Sequence, residues 1–261
     1  MLAQREILKP VVLNFGFCYN RGQSLGPIAQ LVARPHGMGK VRGSSPLGST
    51  FNFMKKNKVI IFDFDGVIVS SCRMSFEINR EIITDLEYFE IQNWGEGNVY
   101  GRKLRENIDE VKQDEYYFQE YSQRVIVLEP VEGMEEILKK INRLGYKIVI
   151  VSSSNRESIE SFLKKYLLDK YFVEIMAKDI HTSKVEKFKL ILKKYKIKAK
   201  ETVMVTDTVG DVKEAKEVKI KSIGVIWGLH EAERLEKNGV DFVAEKPEDI
   251  VTGMKKLLAL N

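Results

Sequence analysis

Two aspartates separated by one residue, Asp63 and Asp65, directly follow the apolar run Val59-Ile60-Ile61-Phe62. A second pair, Asp207 and Asp211, follows the run Thr202–Thr206; Ser152 ends a third, Lys147–Val151, and Lys184 lies between those two runs. Carboxylates gathered at one place repel one another, and their pKa values rise unless a cation neutralises them. An all-oxygen donor set of this kind suits Mg²⁺. A carboxylate so held, Asp63, can attack phosphorus and form an acyl-phosphate. The second carboxylate, Asp65, would point differently; it is expected to protonate the leaving alkoxide and then activate water. Lys184 and the Ser152 hydroxyl would hold the phosphoryl oxygens as charge redistributes. Main-chain N–H groups around Phe64–Val67, where Gly66 permits close approach, would complete that cradle. Ser153 and Ser154 either touch phosphate or cap the following helix, and capping is the commoner use of serine at such a place.

The elements that must position these groups read as alternating strands and helices. Short runs at 58–62, 147–151, 172–176, 202–206, 222–226 and 240–243 are expected strands, and the continuous hydrophobicity of 58–62 suits burial on both faces. Helical spacing predicts helices over 134–144, 156–167 and 230–238, with Gly145 stopping the first. Ser183-x-x-Glu186 has the form of a capping box opening a helix to Tyr195. Strands alternating with helices imply a parallel α/β sheet covered on both faces, with ligands beyond the strands' C-terminal ends. Residues 70–128, rich in aromatics from Phe76 to Tyr121, interrupt this rhythm and are expected to form a small helical cap. The catalytic core would then comprise 54–69 and 129–261.

These motifs resemble those of the haloacid dehalogenase-like phosphatases. Asp63-Phe64-Asp65-Gly66-Val67 is similar to the first motif, DxDG(V/T), and Ser152 after its strand to the second. Lys184 resembles the third; no proline follows it, so Lys178 and Lys187 stay open for that position. Thr206-Asp207-Thr208-Val209-Gly210-Asp211 resembles the fourth motif, GDxxxD, with threonine where glycine is usual. Ser70 stands where many relatives carry aspartate at the hinge to the cap. Ile223–His230 and Asp241–Val243 are similar to the tail of phosphoglycolate phosphatase-like members. The resemblance implies a Rossmann-like sheet with a helical cap after the first strand, Asp63 as nucleophile and Asp65 as general acid/base. It implies Mg²⁺ ligation by Asp63, the Asp65 carbonyl and Asp207, with Asp211 supporting the metal shell or Lys184. The substrate would be a small phosphorylated metabolite, contacted in the cap by Trp94, Tyr100 or Arg102. A phosphomutase of the same fold and a receiver-like regulatory module are the rival readings. The second aspartate disfavours a dehalogenase, and the motif order and the cap disfavour a receiver.

Charge separates the chain into two parts. The formal excess of +5 lies wholly within residues 1–53, which hold six basic residues against Glu6 alone, so the remainder is electrically balanced and offers no case for nucleic-acid binding. Residues 26–32 and 43–46 can be encoded by D-arm-like and T-arm-like stretches of a tRNA gene, in that order. We therefore expect 1–53 to be unstructured or spurious, with the true start at Met54; a transit peptide or a disordered arm are the alternatives. No apolar run approaches membrane-spanning length. Cys18 and Cys72, the only cysteines, form neither a disulfide framework nor a zinc motif, and a reducing cytoplasm fits them.

Overall fold

The computed structural model describes residues 58–101, 105–106 and 108–258. The expectations for residues 1–53, Met54 and Arg102 lie outside them. In chain order come β1 (Val59–Phe62), α1 (Cys72–Ile82), α2 (Tyr88–Trp94), α3 (Glu110–Val125), α4 (Met134–Arg143), β2 (Lys147–Val151), α5 (Arg156–Lys165) and β3 (Phe172–Met176). They are followed by α6 (Lys184–Tyr195), β4 (Thr202–Thr206), α7 (Val209–Glu217), β5 (Lys221–Val225), α8 (Ala232–Lys237), β6 (Phe242–Ala244) and α9 (Pro247–Leu257).

All strand pairs are parallel, in the order β3-β2-β1-β4-β5-β6. The continuous apolar runs follow from burial on both faces. Ile60, Phe62, Ile148, Ile150, Val203 and Val205 enter one core cluster, under α4, α5 and α9. Val59, Ile61, Val149, Val151 and Met204 alternate with them into a second, beneath α6 and α7. Phe62 pairs with both Ile150 and Val205, so the chain leaves β1, β2 and β4 at one edge. That register, rather than any local preference, brings residues 63, 152 and 207 within one position of a common level at that edge.

Helices α1–α3 form the cap inserted after β1. Its apolar centre is Phe76, Ile83, Leu86 and Ile91, against which Tyr88, Trp94 and the core residue Leu229 pack. The aromatics of this segment go to three places: Phe76, Tyr88 and Trp94 to that centre, Tyr121 to the main core cluster, with Tyr116 and Tyr117 packed against it, and Phe89 to the surface, 59% exposed. Gly145 does end α4, in the left-handed region at φ +82°. Two expectations fail locally. Ser183 occupies the N-cap of α6, but its side chain caps nothing; Glu214 instead accepts from the Lys184 N–H at 3.2 Å. Ser153 and Ser154 do not cap α5, because Asn155 does so, accepting from the Ser158 N–H. Helix α9 was not anticipated, although Pro247 in its first turn with Glu248 and Asp249 behind it is a helix-start signal. Among the described residues, no helix is long and apolar enough to cross a membrane.

Candidate active site

Asp63 is the first residue beyond β1. Its N–H still donates to the Val205 carbonyl at 2.9 Å, so the sheet itself fixes its main chain. The chain then turns sharply: the N–H of Gly66 donates to Val69 and that of Ile68 to Phe64. Gly66 takes φ +68°, and a Cβ there would fall 1.8 Å from Asp207 Oδ2. Gly228, on the opposite side, would place a Cβ 2.2 Å from the Asp207 Cβ. Asp207 is thus gripped between two chain segments that approach only because both lack side chains. We expect Gly66→Ala to lower the stability of the fold by about 1–3 kcal/mol through left-handed strain and overpacking, measurable by urea unfolding.

A buried cation ties the strand ends together. Lys184 Nζ lies 2.6 Å from Asp63 Oδ2 and 2.7 Å from Asp211 Oδ2, and the Thr206 hydroxyl donates to the same Asp211 oxygen at 2.7 Å. Thr206, the departure from the usual motif, therefore has a partner that glycine could not supply. Burial opposes every charge here, yet the two carboxylates hold the Lys184 ammonium well above its ordinary pKa, and Lys184 holds Asp211 below the usual carboxylate range. Asp63 goes the other way. Burial, with the charges of Asp211 and Asp207, pushes it well up despite the pull of Lys184. Of the two other candidate lysines, Lys187 is buried and donates to the Ser152 carbonyl at 2.6 Å; burial lowers its pKa to about 8. Lys178 lies over the rings of Phe118 and Tyr100. Only Lys184 among these three reaches the carboxylates. The buried Ser152 Oγ accepts from the Ser154 N–H, closing the turn beyond β2.

The Asp65 side chain is turned away from this network, toward the cap. Its Oδ1 accepts from Ser71 Oγ and from the Tyr121 hydroxyl, each at 2.5 Å, and its Oδ2 accepts from Ser154 Oγ at 2.6 Å. Burial and the Asp65 charge keep the Tyr121 phenol protonated. None of these three hydroxyl contacts was anticipated; only the serine-rich turn and the cap aromatics hinted at them. Between cap and core lies a cavity of about 180 Å³ that Asp65, Asp207, Ser153 and Ser154 enter from the core side. Trp94 and Tyr100 line it from the cap, and the Tyr100 hydroxyl donates to the Ser153 carbonyl. Cap and core also meet at His230, whose Nδ1 accepts from the Val209 N–H and whose Nε2 donates to the Gln92 carbonyl. That pairing makes it a strut between α7 and α2.

The arrangement fits a hard divalent cation. Asp207 Oδ1 is buried without a hydrogen-bond partner, while Oδ2 accepts from the Leu229 N–H. Burial, with the Asp211 charge, pushes the Asp207 carboxyl up to about 7, so the pocket is poorly satisfied as it stands. A cation at that oxygen would relieve both costs. Among the described residues, no three His, Cys, Asp or Glu side chains converge as a ligand set, so main-chain oxygen and water would have to complete the coordination.

The haloacid dehalogenase-like hydrolase family model matches residues 60–225. Phosphoglycolate phosphatase of Synechococcus elongatus is 22% identical over 209 residues, covering 77% of this chain and 99% of that protein. Pyrophosphatase PpaX of Bacillus mycoides is 25% identical, covering 77% and 99%. In structure, a haloacid dehalogenase-like family hydrolase from Streptococcus pneumoniae superposes with a TM-score of 0.63 at 17% identity, over 76% of this chain and 99% of that one.

Proposed function

The chain belongs to the haloacid dehalogenase-like hydrolase family, and from that premise we propose that it is a Mg²⁺-dependent phosphatase acting on a small phosphate monoester through an aspartyl-phosphate on Asp63. The observation that supports this most is the division of labour between two carboxylates two residues apart. Asp63 faces a buried ammonium, and Asp65 faces the cavity beneath the cap. Residues 70–128 act as the cap that encloses the ester, and 54–69 with 129–261 as the catalytic core. The relatives named phosphoglycolate phosphatase and pyrophosphatase both act on small phosphorylated compounds, and we assign this chain a substrate of that size.

In this reading the ester's phosphoryl group lies against Asp63, its oxygens held by Lys184, Ser152 and the main-chain N–H groups of the Gly66 turn, with Ser153 beside them. An Asp63 carboxylate oxygen attacks phosphorus, the bond from phosphorus to the ester oxygen breaks, and Asp65 gives its proton to that departing oxygen. Water then attacks phosphorus and passes a proton to Asp65; the bond to Asp63 breaks, releasing inorganic phosphate. Asp63, Asp207 and the Asp65 carbonyl would hold Mg²⁺, which neutralises their mutual repulsion and that of the phosphoryl oxygens. Asp211, its Oδ2 engaged by Lys184 and Thr206, keeps that lysine aimed at Asp63. Trp94 and Tyr100 would meet the alcohol portion.

Metal removal tests the reading directly. Hydrolysis of p-nitrophenyl phosphate should fall to background in excess chelator and return when Mg²⁺ is restored. Full activity in chelator would sink the metal assignment.

A further inference from the structure

Proton transfer needs more than a carboxyl group near the leaving oxygen; it needs one particular oxygen presented to it. The Asp65 carboxylate is held asymmetrically. Oδ1 takes two hydroxyl donors, Ser71 and Tyr121, while Oδ2 takes one, Ser154. When the group is protonated, the doubly engaged Oδ1 has no lone pair left in a favourable direction for a proton, so the proton falls on Oδ2. Ser154 can then rotate its hydroxyl to accept from Oδ2 or release it.

The three donors have different origins. Ser71 stands at the hinge just before α1, and Ser154 belongs to the turn beyond β2. Tyr121 comes from α3, inside the cap, and is fully buried. Its ring stacks on Tyr117 at 5.7 Å, and the Tyr117 hydroxyl pairs with Ser75 of α1 at 2.8 Å. The phenol is therefore fixed by the cap's own packing and reaches across to a core residue.

We propose that Tyr121 is a positioning residue for Asp65, by which the cap selects the carboxylate oxygen that delivers the proton to the leaving group. This rests on the phosphatase reading above. It makes proton delivery depend on the seating of α3 against the core, a link the four sequence motifs do not contain.

Tyr121→Phe removes one oxygen and keeps the ring, so the stacking on Tyr117 survives. Its effect should depend on how much the leaving group needs a proton. An alkoxide departs with difficulty unless protonated, whereas the weakly basic p-nitrophenolate leaves readily without one. The specificity constant kcat/KM reports only steps through the first irreversible one, so it isolates leaving-group departure from later hydrolysis on Asp63. We expect kcat/KM for glycerol 2-phosphate to fall about tenfold and that for p-nitrophenyl phosphate about twofold. The retained rate on the aryl ester also shows that the variant is folded. Equal losses on both esters would reveal a merely structural tyrosine and overturn the inference, as would no loss on either. A wild-type protein inactive on both would overturn the phosphatase reading together with the inference.

Discussion

Asp63→Asn should be inactive toward every phosphate ester, with turnover of p-nitrophenyl phosphate reduced by roughly 10⁴-fold or more. The amide is close in size and shape to the carboxylate but cannot form the bond to phosphorus. The size of the effect follows from position. Asp63 is held by the sheet through its N–H and flanked by Lys184, so no neighbouring carboxylate can take its place without breaking the strand register. The fold should survive the change. Lys184 keeps Asp211 as its counter-ion at 2.7 Å, and the neutral amide escapes the burial and the repulsion from Asp211 and Asp207 that work against the Asp63 charge. Circular dichroism melting in the absence of Mg²⁺ should show the variant at least as stable as the wild type. A correctly folded Asp63→Asn protein that still turns over would remove the covalent mechanism.

Asp65→Asn should give the second largest loss. General acid–base assistance contributes about 10²–10⁴-fold, and both half-reactions of the proposed mechanism would use it. The amide oxygen can still accept from Ser71 and Tyr121, so the local hydrogen bonds and the binding of substrate should be largely retained. The fall should therefore appear in kcat far more than in KM. Because in the proposed mechanism Asp65 also serves the hydrolytic step, acid quenching during turnover of an activated aryl ester should trap more phosphate on the variant than on the wild type. An unchanged turnover number would mean that another group moves the proton. The aryl and alkyl esters distinguish the two predictions. Asp63→Asn fails on both alike, whereas Asp65→Asn spares leaving-group departure from the aryl ester more than from the alkyl one.

The fold was largely legible because its signals are local. Val59–Phe62, Lys147–Val151 and Thr202–Thr206 are apolar on both alternate faces, and only a doubly covered sheet buries both. Three expected strands, 147–151, 172–176 and 202–206, coincide with β2, β3 and β4 to the residue, and 222–226 is shifted by one from β5. The failures came where a side chain had a long-range alternative. Ser183 has a capping box's spacing, yet Glu214, thirty residues on, takes the Lys184 N–H. Ser154 has the composition of a cap but is drawn to Asp65 across 89 positions. Spacing predicts hydrogen bonds within a turn of helix; it carries no information about a partner supplied by another element.

Primary structure alone supplied the residue types at each strand end and hence the chemistry open to them: carboxylates, a lysine and a hydroxyl at the edge of a parallel sheet. It left three lysines as candidates and did not say which way Asp65 turns. Tertiary structure decided both. Strand register brings 63, 152 and 207 to one sheet edge within a single position of each other, and the start of α6 then sets Lys184 between Asp63 and Asp211 while Lys187 lies against the Ser152 carbonyl. The packing of α3 decides that a phenol from residue 121 meets Asp65. The physical reason is range: backbone propensity and apolar periodicity act over a few residues, whereas the direction of a buried carboxylate is set by whichever donors the packed elements bring within about 3 Å of it.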